Sequence, residues 1–279
     1  MWKQQMVNTK RGTFELFTKG SGEPLCITHH YSQFNETGDY FADVFTSTHR
    51  VLLINLRDAG NSAKANSEKE LSMIETIHDL ETIRETLQLP TWHFAGHSTG
   101  DMLGLLYAIT YPKFLQSLVV VGAAASNYTE TPFCIYHPEH PQFHYMQQLI
   151  GNLKSPHLTN EERKELSTER TKLSLFKPEN YNSYFCKPIN KTMSISRMNA
   201  FANEYPAFNL REHLLSIKTK TIIMCGRHDV QCPIQYSIEM HEGIRNSIFV
   251  IFEESNHYPF LEEAAQFTST TQTFYKLLH

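Results

Sequence analysis

The sequence predicts an α/β fold in which a mainly parallel sheet is covered by helices on both faces and carries a helical cap insertion. Three observations lead to this prediction. Short apolar runs typical of strands alternate with helical patterns over the first 126 residues. The alternation stops over residues 127–209 and resumes after residue 210. We therefore expect a core domain formed by residues 1–126 and 210–279, interrupted by a cap at residues 127–209.

The core elements follow from their residue patterns. Residues 68–87 are predicted as an amphipathic helix because their apolar side chains recur every three or four positions. Pro90 ends that helix. A continuous apolar run such as 51–56 is typical of a strand that is buried on both faces of a parallel sheet. In chain order, strands are predicted at 13–19, 25–28, 51–56, 91–95, 115–125, 219–225 and 248–252, and further helices at 38–45, 102–108, 234–244 and 264–278.

Residues 127–209 have a different composition from the core, because they are rich in aromatic residues, His, Pro and Asn. Helical patterns occur at 143–153 and 161–176, and no convincing strand pattern occurs. We expect most of the aromatic side chains to form the interior of the cap and a few to line an apolar substrate pocket.

Composition restricts the cellular context. The formal net charge is −4 and no long basic run occurs, which argues against nucleic acid or an anionic membrane as a partner. No stretch approaches the roughly 18 apolar residues that span a bilayer, and the first residues lack the apolar run of a signal peptide. Five cysteines at unrelated spacings indicate free thiols in a reducing compartment. We expect a cytoplasmic monomer or homodimer.

A candidate nucleophile lies between a predicted strand and a predicted helix. Residues 96–100 read Gly-His-Ser-Thr-Gly, a G-x-S-x-G pattern with Ser98 at its centre. A serine on such a sharp strand–turn–helix connection adopts a strained backbone conformation and exposes its hydroxyl at the edge of the sheet. The flanking glycines allow the strand and the helix to approach each other closely.

A base and an acid follow later strands, where active groups gather in an open parallel sheet. Asp229 follows the predicted strand 219–225, and His257 follows the strand 248–252. The imidazole can accept the serine proton near neutral pH, and the carboxylate fixes its tautomer. The order Ser98, Asp229, His257 is the order typical of α/β-hydrolase triads. Rival acids are Asp58, Glu253 and Glu254.

Acyl transfer also needs donors for the negative charge that develops on the substrate oxygen. One candidate is the backbone N–H of Thr99, at the positive end of the helix that follows Ser98. The second is expected from the loop after the strand 25–28, which reads His-His-Tyr-Ser-Gln over residues 29–33. The backbone N–H of Tyr31 is our candidate there.

These motifs together resemble the α/β-hydrolase-fold superfamily, and more closely its prolyl aminopeptidase (proline iminopeptidase)-like branch. The resemblance rests on Gly-His-Ser-Thr-Gly at 96–100, Gly-Arg-His-Asp at 226–229 and Ser-Asn-His at 255–257. Residues 56–62, Leu-Arg-Asp-Ala-Gly-Asn-Ser, are similar to the Arg-Gly-x-Gly-x-Ser turn of that branch. The resemblance implies the hydrolase fold and a Ser-Asp-His triad over nearly all of the chain outside 127–209.

The sequence departs from the pattern of that branch in three ways. His30 replaces the glycine of the usual His-Gly pair, and Asp101 replaces a second glycine after the pentapeptide. An Asp101 carboxylate pointing inward would oppose the oxyanion, so we expect Asp101→Gly to leave activity equal or higher. The resemblance implies cap glutamates that bind a substrate amine, and Glu204 is the only positional candidate. His30 and Glu204 are therefore candidate substrate-binding residues.

We interpret the sequence as that of a serine hydrolase that cleaves a small-molecule ester through an acyl-enzyme and needs no metal or organic cofactor. Removal of an N-terminal residue from a short peptide is the alternative activity. A ligand-binding relative without catalysis is a second alternative, suggested by Asp101 and His30. His97 is expected to pack rather than to act as a base. A zinc site at His137, His140 and His144 is disfavoured because no helix is expected to fix their geometry.

Overall fold

A computed structural model describes residues 1–155 and 157–278. Its centre is an eight-stranded sheet, and a short two-stranded ribbon lies apart from it. The strands are β1 Lys3–Thr9, β2 Gly12–Lys19, β3 Pro24–Ile27, β4 Ser32–Gln33, β5 Arg50–Ile54, β6 Trp92–His97, β7 Leu115–Val121, β8 Thr192–Met193, β9 Lys220–Gly226 and β10 Ser247–Phe252.

The central sheet has the strand order β1-β2-β5-β3-β6-β7-β9-β10. Strand β2 pairs antiparallel with both β1 and β5, and all remaining pairs are parallel. The carboxyl ends of β3, β6, β7, β9 and β10 therefore lie on the same edge of the sheet. The loops that contain the predicted catalytic residues lie along this edge.

Helices cover both faces of this sheet, as the sequence predicts. Successive residues of β5 point to opposite sides: Leu52 joins one buried cluster, whereas Leu53 joins the other. The first cluster packs under α2 and α3, and the second packs under α1 and α10. The helices are α1 Tyr40–Phe45, α2 Met73–Thr86, α3 Thr99–Thr110, α4 Phe143–Leu153, α5 Asn160–Lys172, α6 Tyr181–Tyr184, α7 Ile195–Glu204, α8 Ile234–Gly243, α9 Pro259–Glu262 and α10 Ala264–Lys276.

The segment between β7 and β9 contains helices α4 to α7. Its two ends lie side by side, because Ser126 and Asn209 form an antiparallel bridge. The backbone N–H of Leu210 also donates to the carbonyl of Ala125 at 2.6 Å. Residues 127–209, which we call the cap, thus leave and rejoin the core at one point. The division into a core and a cap at these residues stays a prediction.

Two features of the strands were not predicted. The edge strand β1 was not recognised, because its exposed polar residues lack an apolar run. The expectation that the cap has no strand is wrong for β8, which pairs antiparallel with β4 through Ser32 and Met193. A two-residue strand has no periodicity to recognise. This ribbon ties the cap to the loop that contains Tyr31.

Helix α3 approaches the sheet through Gly100, and this close contact generates a stability prediction. A Cβ at that position would lie 2.4 Å from the backbone carbonyl oxygen of Thr28. We expect Gly100→Ala to lower the free energy of unfolding by at least about 1–3 kcal/mol, because the backbone must move. Gly151→Ala in α4 is the matched control: its Cβ would meet nothing within 4 Å. We expect it to raise stability by about 0.5–1 kcal/mol. Equal stability of the two variants in urea titrations would contradict this packing argument.

Candidate active site

Ser98 occupies the turn between β6 and α3 with a strained backbone. Its φ of 57° and ψ of −124° lie outside the regions that L residues ordinarily adopt. The backbone N–H of Ser98 donates to the carbonyl of Val121 at 2.9 Å, which holds the turn against the end of β7. The hydroxyl makes no capping hydrogen bond to α3. Ser98 is partly exposed, so its hydroxyl is available for chemistry.

Asp229 and His257 are in direct contact, as the sequence predicts. Asp229 Oδ2 lies 2.8 Å from His257 Nδ1, and both residues are almost fully buried. The other carboxylate oxygen accepts the backbone N–H groups of Gln231 and Cys232 at 2.9 and 2.8 Å. Each oxygen of the carboxylate therefore has a partner, and the orientation of the imidazole is fixed through Nδ1. The rival acid Asp58 instead accepts the backbone N–H of Ala65.

Gly122 brings this pair close to the serine turn. It has a φ of +57°, and a Cβ there would lie 3.0 Å from Asp229 Oδ2 and 3.3 Å from His257 Nδ1. Its neighbour Val121 accepts the hydrogen bond from the Ser98 backbone. Within the described residues, no hydrogen bond joins the Ser98 hydroxyl to the His257 imidazole. Val121 and Gly122 connect the serine turn to the Asp229–His257 pair, and catalytic hydrogen bonds often tighten only when substrate binds.

His97 fixes the backbone of His257 from the end of β6. Its Nε2 donates to the His257 carbonyl at 2.7 Å, and the two rings lie 4.5 Å apart. Burial, reinforced by the charge of His257, lowers the pKa of His97 well below its usual range. The neutral ring therefore supports the neighbouring histidine, which agrees with the packing role expected from the sequence.

The two predicted oxyanion donors lie on adjoining segments. Thr99 is the first residue of α3, and its hydroxyl lies 3.1 Å from His29 Nε2. The other nitrogen of that ring lies 2.9 Å from the Ser32 hydroxyl. His29 thus connects the loop of Tyr31 to the start of α3. Among the residues that the structure describes, neither the Thr99 nor the Tyr31 backbone N–H donates to a protein acceptor.

Arg197, on cap helix α7, holds the peptide group that precedes Tyr31. Its Nε donates to the His30 carbonyl, Nη1 donates to the carbonyl of Arg57 at 3.1 Å and Nη2 donates to the hydroxyl of Thr76 at 2.9 Å. The C=O and N–H groups of a trans peptide point in opposite directions. Fixing the His30 carbonyl toward Arg197 therefore directs the Tyr31 N–H away from the buried guanidinium. Burial lowers the pKa of Arg197 to about 10, so it remains a cation at neutral pH.

Neither of the two candidate substrate-binding residues has a side chain that is free to bind a substrate in this structure. His30 is completely buried and packs 5.1 Å from the ring of Phe201, so a bound substrate cannot reach its imidazole without rearrangement. The Glu204 carboxylate accepts the backbone N–H of Met73 at 2.9 and 3.2 Å. Met73 begins α2, where a carboxylate is stabilised by the helix dipole. Both assignments are therefore corrected: His30 is a packing residue and Glu204 supports a helix terminus.

Asp101 points away from the site of negative charge. It is fully buried, and its Oδ2 accepts the backbone N–H of Val121 at 2.5 Å. Burial raises the pKa of its carboxyl well above the usual range, although the backbone bonds to Val121 and Gly96 oppose that shift. Opposition to the oxyanion was expected only for an inward-pointing carboxylate, and this carboxylate instead connects α3 to the sheet.

Two of the three cap histidines considered as zinc ligands accept hydrogen bonds within local turns. His137 Nδ1 accepts the backbone N–H of Glu139, and His140 Nδ1 accepts that of Gln142, both at 3.2 Å. Over residues 1–155 and 157–278, no group of three His, Cys, Asp or Glu side chains is arranged to bind a metal ion. No helix in that part of the chain is long and apolar enough to cross a membrane.

Sequence reasoning missed three residues that shape the site. His29 belongs to the loop motif, but the sequence does not distinguish it from its neighbours. Its role depends on its contact with Thr99, which is distant in the sequence. Arg197 has no signal in the sequence, because its partners are two backbone carbonyls and a threonine hydroxyl from other segments. Gly122 follows an apolar run, and its positive φ is visible only in the folded chain.

The fold and this geometry define a class: an α/β hydrolase with a serine on a strained turn beside a paired aspartate and histidine. A family model described as alpha/beta hydrolase fold matches residues 24–264. The chain therefore belongs to the α/β-hydrolase family and is a hydrolase. A solved α/β-fold family hydrolase from Bacillus anthracis str. Sterne is 40% identical, with a TM-score of 0.95, and the match covers 98% of this chain and 99% of that one.

Curated relatives have lower identity. Epoxide hydrolase 4 from Mus musculus is 22% identical over 253 residues, which cover 85% of this chain and 68% of the relative. Proline iminopeptidase from Lactobacillus acidophilus is 25% identical over 261 residues, covering 86% and 83%. The iminopeptidase supports the resemblance found in the motifs. These names cover different reactions, so similarity defines a hydrolase without defining its substrate.

The position of Asp101 generates a second prediction. Asp101→Ala would leave the Val121 N–H without its buried acceptor, so we expect a loss of about 1–3 kcal/mol in the free energy of unfolding. Asp101→Asn keeps an acceptor oxygen and should lose less. The folded state also raises the pKa of this carboxyl, so its contribution to stability falls as pH rises above about 4, the value in an unfolded chain. Denaturant titrations at pH 5 and pH 8 measure both effects. The argument fails if Asp101→Ala is as stable as the wild type.

Proposed function

We propose that this chain is a serine hydrolase that cleaves a small carboxylic ester through an acyl-enzyme. Ser98 is the nucleophile, His257 is the general base and acid, and Asp229 orients the imidazole. The observation that most supports this proposal is the buried Asp229–His257 pair beside Gly122, next to the strained turn of Ser98. A strained serine without a capping role is expected where the strain serves a function.

In the acylation half-reaction, Ser98 Oγ attacks the ester carbonyl carbon while its proton passes to His257 Nε2. The carbonyl oxygen becomes an oxyanion, which the backbone N–H groups of Tyr31 and Thr99 bind. Collapse of this intermediate breaks the bond to the alcohol oxygen. The imidazolium returns its proton to that oxygen, and the alcohol leaves.

Deacylation repeats these steps with water. His257 takes a proton from a water molecule, whose oxygen attacks the acyl carbon and forms a second oxyanion in the same position. Collapse releases the carboxylic acid and returns the proton to Ser98 Oγ. The buried Asp229 carboxylate stabilises the imidazolium in both half-reactions. Two backbone N–H groups bind its second oxygen and hold the carboxylate in place.

The alternative activity, removal of an N-terminal residue from a short peptide, has less support. Such a substrate presents an ammonium group, and the Glu204 carboxylate proposed to bind it already accepts the N–H of Met73. A non-catalytic relative also has less support, since Asp101 and His30 prompted that idea and both are fully buried. We further propose a cytoplasmic location, which agrees with five free cysteines, four of them buried.

Replacing the nucleophile tests the proposal directly. We expect a fluorophosphonate probe to label the wild type and not Ser98→Ala. Turnover of 4-nitrophenyl butyrate should fall by about 10³-fold or more in that variant, because the covalent route is lost. Intact-protein mass spectrometry and absorbance assays measure these effects. Ser126→Ala is the control, since that buried serine is not part of the proposed relay. Retained turnover in Ser98→Ala would refute the mechanism.

Arg197 provides a separate test of the oxyanion site. Removing one oxyanion donor typically costs 10²–10³-fold in kcat. We expect Arg197→Met to lower kcat by about 10- to 100-fold with little change in KM, because the Tyr31 N–H loses its orientation in the transition state. Arg197→Lys should recover part of the loss. Melting temperatures establish that both variants are folded. An unchanged kcat, or a loss confined to KM, would contradict the positioning role.

A further inference from the structure

Cap helix α5 has two faces of different character. Glu161, Lys164, Glu165, Thr168, Glu169 and Lys172 line one groove on its outer surface. Arg170 lies on the opposite side near the end of the helix, and Ser174 follows two residues after the helix ends. Ser174 is buried, and its carbonyl accepts the backbone N–H of His257 at 3.2 Å. The inner stripe therefore faces the candidate active site.

Three tyrosine hydroxyls share that space with the Arg170 guanidinium. Tyr31 contains the proposed oxyanion donor, Tyr258 follows His257, and Tyr136 donates to Gln231 Oε1 at 2.8 Å. Gln231 in turn donates to the Ser174 hydroxyl at 2.9 Å. Burial raises the pKa of each phenol, and the positive charge of Arg170 opposes that effect at all three. The guanidinium is thus within electrostatic range of every one of them.

Arg170 has no counter-ion in the described part of the chain. No hydrogen bond or ion pair of its guanidinium occurs there, although the side chain is only partly exposed. Lys191, the second cation near Tyr31 and Tyr258, is paired with Asp39 at 3.0 Å. A partly buried guanidinium without an acceptor is costly, and its planar donors match a carboxylate. The positive charge of Arg170 is therefore uncompensated, and an anionic ligand would neutralise it.

We propose that Arg170, with the hydroxyl of Tyr258, binds a carboxylate on the substrate. The preferred substrates are then small esters that contain a free carboxylate, such as half-esters of short dicarboxylic acids. This inference rests on the proposed serine-hydrolase function, because it places the carboxylate in the space beside Ser98. It makes Arg170 a specificity-determining residue rather than part of the proton relay.

The test compares monomethyl glutarate with methyl pentanoate, two methyl esters of similar length that differ in charge. Acid release is followed by pH-stat titration. We expect the wild type to prefer the charged ester. Arg170→Gln should lower kcat/KM for monomethyl glutarate by about 10- to 100-fold, mainly through KM, and change methyl pentanoate less than about threefold. Arg170→Lys should recover part of the loss, because it restores the charge without the planar donors.

Lys164→Gln is the matched control: it removes the same charge from the outer face of α5 and should change neither ester. A loss in Arg170→Gln that is equal for both esters would overturn the inference, and so would an equal loss in the two variants. In either case Ser98-dependent turnover and probe labelling would still support the proposed function.

A binding measurement separates the two proposals. Titration calorimetry of glutarate with Ser98→Ala, which does not require turnover, should show binding that Arg170→Gln weakens by at least about tenfold. Inorganic phosphate should bind more weakly than glutarate, because a bidentate guanidinium beside a phenol suits a planar carboxylate. Glutarate binding that is unaffected by Arg170→Gln, or no binding at all, would overturn the carboxylate site.

Discussion

The turn at Ser98 is the constraint on which the rest of the site depends. Its backbone has a positive φ, which an L residue adopts only when the surrounding structure holds it there. Three contacts do so: Ser98 N–H bonds to the Val121 carbonyl, Gly100 lies against the Thr28 carbonyl, and the buried Asp101 accepts the Val121 N–H. These contacts join β6, β7 and the loop after β3. The same contacts that strain the serine therefore bring its neighbours on adjoining strands toward it.

The cap and the core are coupled through this region. Arg197 extends from α7 to the His30 carbonyl, and β8 pairs with β4 just after Tyr31. On the other side, Ser174 accepts the backbone N–H of His257. The cap therefore contacts the loop of the proposed oxyanion donor and the loop of the proposed base. The geometry of both loops depends on the position of the cap.

How much of the structure could be predicted depends on how far apart in the sequence the interacting residues lie. The sheet, the main helices and the pairing of Asp229 with His257 could be predicted, because periodicity and chain order encode them locally. The roles of Glu204 and Asp101 could not. Each is a carboxylate whose partner is a backbone N–H from a distant segment, Met73 and Val121 respectively. The sequence does not show which backbone N–H a carboxylate will bind. Residue type therefore suggested a role at the substrate, whereas Glu204 binds the start of a helix and Asp101 binds a strand.

Electrostatics bears on the choice between the two proposed activities. An aminopeptidase substrate presents an ammonium group, which needs acidic groups in the pocket. The cations near the proposed oxyanion residue Tyr31 are Arg170 and Lys191, and the Glu204 carboxylate is bound to α2. An ammonium in that space would face like charge in a partly desolvated environment, which strengthens the repulsion. A carboxylate would be attracted by the same field. The cations near Tyr31 therefore support the proposal of an anionic ester over that of a peptide with a free amino group.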